Sequence, residues 1–102
     1  MTSIAPHRVE QILGNFESQR IVVIGDLMLD RYVYGTVERI SPEAPVPVVE
    51  VTDERSMPGG AGNVASNIRS LGGAADICAV VGMDAWGEKV LELLHEEGVG
   101  TD

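Results

Sequence analysis

The spacing of apolar positions changes along the chain, and each change marks an element. Val9, Ile12, Leu13 and Phe16 recur at helical intervals, and Pro6 suits the start of that helix. Arg20 to Gly25 holds a continuous β-branched run, which predicts a short strand buried on both faces. Tyr32 to Val37 predicts a second strand, and Val48, Val49 and Val51 a third. Ser41 to Pro47 between them is turn and edge material. Pro47 has no N–H to give a ladder, so the third strand belongs at a sheet edge. These two strands predict a hairpin-like flap outside the main sheet. Ala61, Val64, Ala65, Ile68 and Leu71 then form one helical stripe, ended by Gly72 and Gly73. Ala74 to Val81 predicts another fully buried strand. Asp84 is placed to cap a helix that turns Trp86, Val90, Leu93 and Leu94 inward, and Gly98 closes it.

The predicted order is helix, strand, flap, helix, strand, helix, which is an α/β pattern. Only two strands read as fully buried, whereas an ordinary sheet has about five or six and a parallel sheet is covered on both faces. Gly100 to Asp102 follows a helix, where a further strand is expected. The pattern therefore predicts the N-terminal part of a larger α/β domain, or a chain that covers its edges by association. No repeat, low-complexity tract or linker interrupts it.

Composition narrows the partners. The 102 residues suffice for one small domain. Seven basic and 16 acidic residues give a formal charge of −9, and no basic run exists. Nucleic acid and anionic membranes are therefore not expected partners. Cys78 is the single cysteine, lies in an apolar run and is expected to be buried. No disulfide framework or zinc spacing can form, which fits a reducing compartment. The N-terminus lacks the apolar segment of a signal peptide. No apolar run approaches the roughly 18 residues of a membrane span. The expected location is cytoplasmic.

Candidate chemistry concentrates where the flap returns. Pro58-Gly59-Gly60-Ala61-Gly62-Asn63 sets glycines and an amide where a loop should become a helix. Glycine lets backbone approach a ligand, and a helix N-terminus offers unpaired N–H groups to oxygen-rich molecules. Gly60 to Ala65 also fits the G-x-G-x-x-G/A dinucleotide pattern, with Asp84 near the place of a ribose-binding acid. Against that reading, Asp53 to Pro58 separates the glycines from the preceding strand. Asp26 and Asp30 follow the first buried strand, where open α/β sheets bind ligands. Either carboxylate can accept from hydroxyls, and the plain alternative is a turn cap or a solvated acid. Gly73-Ala74-Ala75-Asp76 lacks a middle glycine and runs into a strand, so it is a decoy for a catalytic loop. His7 and His95 stand alone with no metal spacing, and Lys89, the only lysine, lies in no phosphate-binding motif. Arg55 and Arg69 could approach a phosphate, but ordinary surface charge is the plainer reading.

These residues together resemble the PfkB/ribokinase family of carbohydrate kinases. The resemblance rests on Val22-Val23-Ile24-Gly25 with Asp30, on the flap, on Gly59 to Ala65, and on Val81-Gly82-Met83-Asp84-Ala85-Trp86-Gly87. It runs from about residue 20 to the end. Gly25 to Tyr32 followed by Arg39 to Val48 is similar to the heptose 7-phosphate kinase branch, the kinase domain of bifunctional heptose kinase/adenylyltransferases.

The resemblance implies the N-terminal part, residues 1–102, of a ribokinase-like, Rossmann-type three-layer αβα domain, with a β-hairpin-like lid over about residues 30–57. It implies ATP-dependent phosphorylation of the anomeric hydroxyl of D-glycero-β-D-manno-heptose 7-phosphate, a step toward the lipopolysaccharide core. It makes Asp30 and Asn63 ligands of the sugar, with Gly59 and Gly60 approaching it through backbone and Asp26 a lesser candidate. It implies a homodimer through the lid. The family's catalytic aspartate lies in a Gly-Ala-Gly-Asp loop that this sequence lacks, as it lacks the nucleotide-binding half. ATP and magnesium are thus expected of a full-length kinase, and the chain alone is expected to bind neither and to be inactive. A non-catalytic sugar-binding or dimerisation module and a dinucleotide-binding oxidoreductase fragment remain as other readings.

Overall fold

A computed structural model of the chain describes residues 2–102. Helix α1 (Pro6–Gly14) opens on Pro6, whose ring presets φ and whose missing N–H would have had no helical partner. It buries none of its residues. Phe16 leaves the helical stripe its spacing suggested and enters a short 3-10 turn, Phe16–Ser18. Strand β1 (Arg20–Ile24) follows.

The chain then runs out and back as a two-stranded antiparallel ribbon of β2 (Leu27–Ile40) and β3 (Pro47–Gly60). Both strands are longer than their hydrophobic runs predict. Leu27 to Arg31 and Asp53 to Gly60, which lie outside the hydrophobic runs, are strand. Pairing is continuous apart from two slips, from Leu27 opposite Gly60 to Ile40 opposite Pro47. Cross-strand pairing imposes extended structure on polar, proline- and glycine-bearing segments whose own propensity is poor. Each strand has a free edge, so Pro47 and Pro58 interrupt no ladder. The register slips between Tyr34 and Gly35 and between Val37 and Arg39. Such bulges bend and twist a ribbon. At the first, Gly35 is required, because a Cβ there would run into the Glu50 carbonyl. The chain extends 61 × 40 × 21 Å with a radius of gyration of 19.4 Å, against about 13 Å for a compact domain of similar length.

The compact part begins where β3 ends. Gly60 takes a φ of +57°, a left-handed value that glycine adopts without strain, and turns the chain into α2 (Ala61–Ser70). Strand β4 (Ala74–Cys78) pairs parallel to β1, from Arg20 opposite Ala74 to Ile24 opposite Cys78. Helix α3 (Ala85–Glu96) is capped as expected: Asp84 Oδ1 accepts from the Gly87 N–H at 2.8 Å. Beyond α3 the chain joins the sheet beside β4. The Gly100 N–H donates to the Ala75 carbonyl at 2.9 Å, and the Ile77 N–H donates to the Gly100 carbonyl at 2.8 Å. The strand expected after the last helix thus begins as a parallel bridge.

The core lies between one face of this parallel sheet and helices α2 and α3. It consists of Ala61, Ala65, Ala75, Ile77, Leu94 and Val99, with Val23, Leu27, Ile68 and Ala79 packed around it. The opposite face is open among the described residues, with Val22 59% and Ile24 79% exposed. The strands that read as buried on both faces are therefore covered on one. Cys78 pairs with Ile24 on that open face and is exposed, contrary to the expected burial. Trp86 is 52% exposed, since α3 turns Val90 and Leu94 inward instead. The fold is mixed α/β, with one parallel and one antiparallel sheet. Among the described residues, no helix is long and apolar enough to cross a membrane.

Candidate functional site

The base of the ribbon brings Asp30 against Gly59 and the Asp26 carbonyl against Gly60. Asp30 pairs with Met57, and Gly59 lies two residues further along β3 on the same face. The Asp30 carboxylate leans across to cover the bare Cα of Gly59. A Cβ there would stand within 2.8 Å of the carboxylate carbon and both oxygens. Asp30 is itself exposed. Among the described residues its carboxylate accepts no hydrogen bond, so its lone pairs face water or a ligand.

Gly60 serves a different contact. A Cβ on it would overlap the Asp26 carbonyl. That carbonyl accepts from the Ala61 N–H at 2.8 Å, tying the first residue of α2 to the end of β1. Asp26 therefore acts here through its main chain. Asp26 also lines an open cleft of about 430 Å³ with Ile24, Cys78 and Val80, beyond the carboxyl ends of β1 and β4.

Gly62 lets α2 sit close to the ribbon, since a Cβ there would be 2.7 Å from Pro58 Cβ and 2.8 Å from Leu27 Cδ1. Asn63 follows in the first turn, exposed. No side chain caps α2. The N–H groups of Gly62 and Asn63 find no protein acceptor among the described residues. In α3, by contrast, Asp84 fills that role. Unpaired N–H groups and the positive end of the helix dipole favour an anionic or oxygen-rich ligand at α2.

The other candidates are engaged elsewhere. Asp76 lies inside β4, and Arg20 Nε donates to its Oδ2 at 2.5 Å. The hydrogen bond to Arg20, followed by the guanidinium's charge, holds the Asp76 carboxyl below the usual carboxylate range. The decoy loop is thus a structural ion pair. Arg69 donates to the carbonyls of Gly73 at 3.1 Å and Glu97 at 3.4 Å, where α2 and α3 end. Arg55 bonds Asp53 at 3.2 Å and lies 5.7 Å from the Tyr34 ring centre. His95 Nε2 lies 2.7 Å from Thr101 Oγ1. His7 is exposed at the surface of α1.

Sequence reasoning passed over Arg31. Its Nη2 donates to Glu54 Oε2 at 3.3 Å, and its guanidinium lies 4.5 Å from the Trp86 ring centre. Its alternation with Asp30 was the available signal, but only once β2 was known to begin at Leu27.

The dinucleotide reading fails on topology. Strand β3 does run straight into the glycine turn, contrary to the expected intervening loop. It belongs to the ribbon, however, while β4 belongs to the parallel sheet. The fingerprint requires both strands of a parallel βαβ unit in one sheet.

Residues 18–102 match the family described as pfkB family carbohydrate kinase. The chain belongs to this family. It is 49% identical over 94 residues to the bifunctional protein HldE of Pelobacter propionicus, covering 92% of this chain and 19% of that protein. The bifunctional protein HldE of Halorhodospira halophila is 52% identical over 88 residues, 86% of this chain and 18% of its own length. That of Vibrio vulnificus is 49% identical over 94 residues, 92% of this chain and 20% of its own length. The chain spans about a fifth of the length of the curated relatives it matches.

Kinases of the pfkB family generally use ATP and a divalent metal. The described residues contain no group of three His, Cys, Asp or Glu side chains arranged to hold a metal. The only lysine, Lys89, pairs with Glu92 at 3.3 Å on the surface of α3. What the described residues do offer is an acceptor carboxylate beside free helix N–H donors, which suits a polyhydroxylated molecule.

Proposed function

We propose that this chain supplies the sugar-binding wall of an ATP-dependent kinase. Its substrate in this reading is D-glycero-β-D-manno-heptose 7-phosphate, phosphorylated on the anomeric hydroxyl to the 1,7-bisphosphate. The observation that carries the reading is the Asp30 carboxylate lying over Gly59, beside the uncapped start of α2. The similarity to proteins named HldE supports the heptose as the sugar.

In this site Asp30 accepts hydrogen bonds from two sugar hydroxyls, and Asn63 both donates and accepts through its amide. Gly59 and Gly60 keep the β3 backbone low, so that the sugar ring approaches the main chain. The N–H groups of Gly62 and Asn63 face the sugar's oxygens. The β2–β3 ribbon is the lid, and closing it excludes water that would otherwise compete as acceptor for the phosphoryl group. Its two faces carry exposed Tyr32, Val33, Val37, Val49 and Val51, an apolar surface that suits pairing with a second copy's lid. The open face of the parallel sheet is covered, in the whole domain, by the third layer of an αβα sandwich. We assign the catalytic base, ATP and magnesium to parts of such a protein beyond the matched fifth. ATP supply puts the reaction in the cytoplasm.

Calorimetric titration of heptose 7-phosphate tests the reading, using a protein that carries this chain. Asp30→Ala should weaken binding about tenfold or more, the size of a lost charge-assisted hydrogen bond, and Asn63→Ala about two- to tenfold, the size of a lost neutral one. Unchanged affinity in both removes them from the site. The 102-residue chain with ATP and the sugar should release no ADP. Sugar binding without turnover in the whole protein would favour a non-catalytic sugar-binding module instead.

A further inference from the structure

Arg31 joins three elements through one side chain. It follows Asp30 in β2 and, because side chains alternate across a strand, points to the opposite face of the ribbon. There its guanidinium meets Glu54 of β3, with Nη2 at 3.3 Å from Oε2 and 3.4 Å from Oε1. It also lies 4.5 Å from the ring centre of Trp86, in the first turn of α3. Both side chains of the ion pair are about half exposed, so that pair alone is weak. A planar guanidinium can stack on an indole and bond a carboxylate together, which an ammonium cannot do as well. Trp86, left out of the core, meets the ribbon at this contact. Nearer the ribbon's base, Leu27 and Pro58 lie against Gly62 of α2, and Leu27, Met28 and Leu29 line a cleft together with Trp86, Gly87 and Val90 of α3.

We propose that Arg31 is a positioning residue that latches the stem of the ribbon to α3 and so holds Asp30 over Gly59. This deepens the sugar-binding reading and rests on it. Asp30 and Arg31 are adjacent, so a change in the angle of the stem against α3 turns the Asp30 carboxylate relative to Gly59 and α2.

Trp86 is the only tryptophan, so its fluorescence reports the latch without a label. Arg31→Gln in the intact chain should shift Trp86 emission to the red. It should also speed amide hydrogen exchange in residues 27–31 and 56–60 about two- to fivefold, the equivalent of an exposed cation–π contact. Affinity for heptose 7-phosphate should fall by the same factor, and Arg31→Lys should restore part of both. Trp86→Leu removes the contact from the other side and should speed exchange in the same residues. Unchanged exchange in both variants overturns the latch, whatever the sugar does. Faster exchange with undiminished affinity, while Asp30→Asn loses binding, overturns the positioning role. If Asp30→Asn binds as the parent does, the sugar-binding reading falls, and exchange alone then decides the latch.

Discussion

The Asp30 carboxylate occupies the space that a Cβ on Gly59 would need. The two residues come from opposite strands of the ribbon, and Gly59 is buried beneath the acid. Gly59→Ala should therefore displace Asp30 and cost about 1–3 kcal/mol, the range for overpacking. Combining it with Asp30→Ala removes the overlap, so stability should largely return while sugar binding does not. Thermal unfolding and calorimetric titration of the three variants check this. An alanine at 59 that is tolerated with binding intact would contradict the packing.

Gly60 is constrained twice, by its φ of +57° and by the Asp26 carbonyl beside it. Gly60→Ala should lower stability by about 1–3 kcal/mol from strain alone, or several degrees in Tm for each kcal/mol. Gly14, at the end of α1, has no atom within 4 Å of an added Cβ. Gly14→Ala should be neutral or stabilising by up to about 1 kcal/mol. Similar melting temperatures for the two variants would show that the turn into α2 is not strained.

Asp84 alone caps α3. Asp84→Ala leaves the Gly87 N–H without its acceptor and should cost about 1 kcal/mol, with Asp84→Asn retaining most of the stability. Urea unfolding of both variants measures the difference. Equal losses would point to the charge of Asp84 rather than its cap.

The Arg20–Asp76 pair makes stability depend on acid pH. The Asp76 carboxyl is held below its ordinary value, chiefly by the hydrogen bond from Arg20. A depressed carboxyl contributes stability that is present above the unfolded value of about 4 and is lost as pH falls through the folded value. The parent chain should therefore lose more stability than Asp76→Asn on going from pH 5 into the range below pH 4. The effect should be small, since the Arg20 side chain is 75% exposed. Arg20 is shifted upward and stays charged at any pH where the chain is folded. Parallel pH profiles for parent and variant would remove the pair from acid stability.

Much of the fold was legible because its signals are local. The β-branched run at Ile21 to Ile24, the cap at Asp84 and the stops at Gly72 and Gly98 each act within a few residues. Proline 6 opened the first helix where its fixed φ belongs. The extent of the ribbon was not legible. Asp53 to Gly60 has little strand propensity and is extended because β2 pairs with it. The burial of Cys78 and Trp86 was misjudged for a related reason: an apolar residue is buried only where a second surface arrives.

By itself the sequence determined which residues turn and cap, that glycines and Asn63 mark the return of the flap, and that two aspartates follow the first strand. Those properties depend on backbone sterics and near-neighbour hydrogen bonds, which any short segment carries with it. Only the tertiary structure decided that Asp30 faces Gly59, that Asp26 works through its carbonyl and that Arg31 meets both Glu54 and Trp86. Each of these contacts joins elements distant along the chain, and its geometry follows from strand register and helix packing, which no single segment contains.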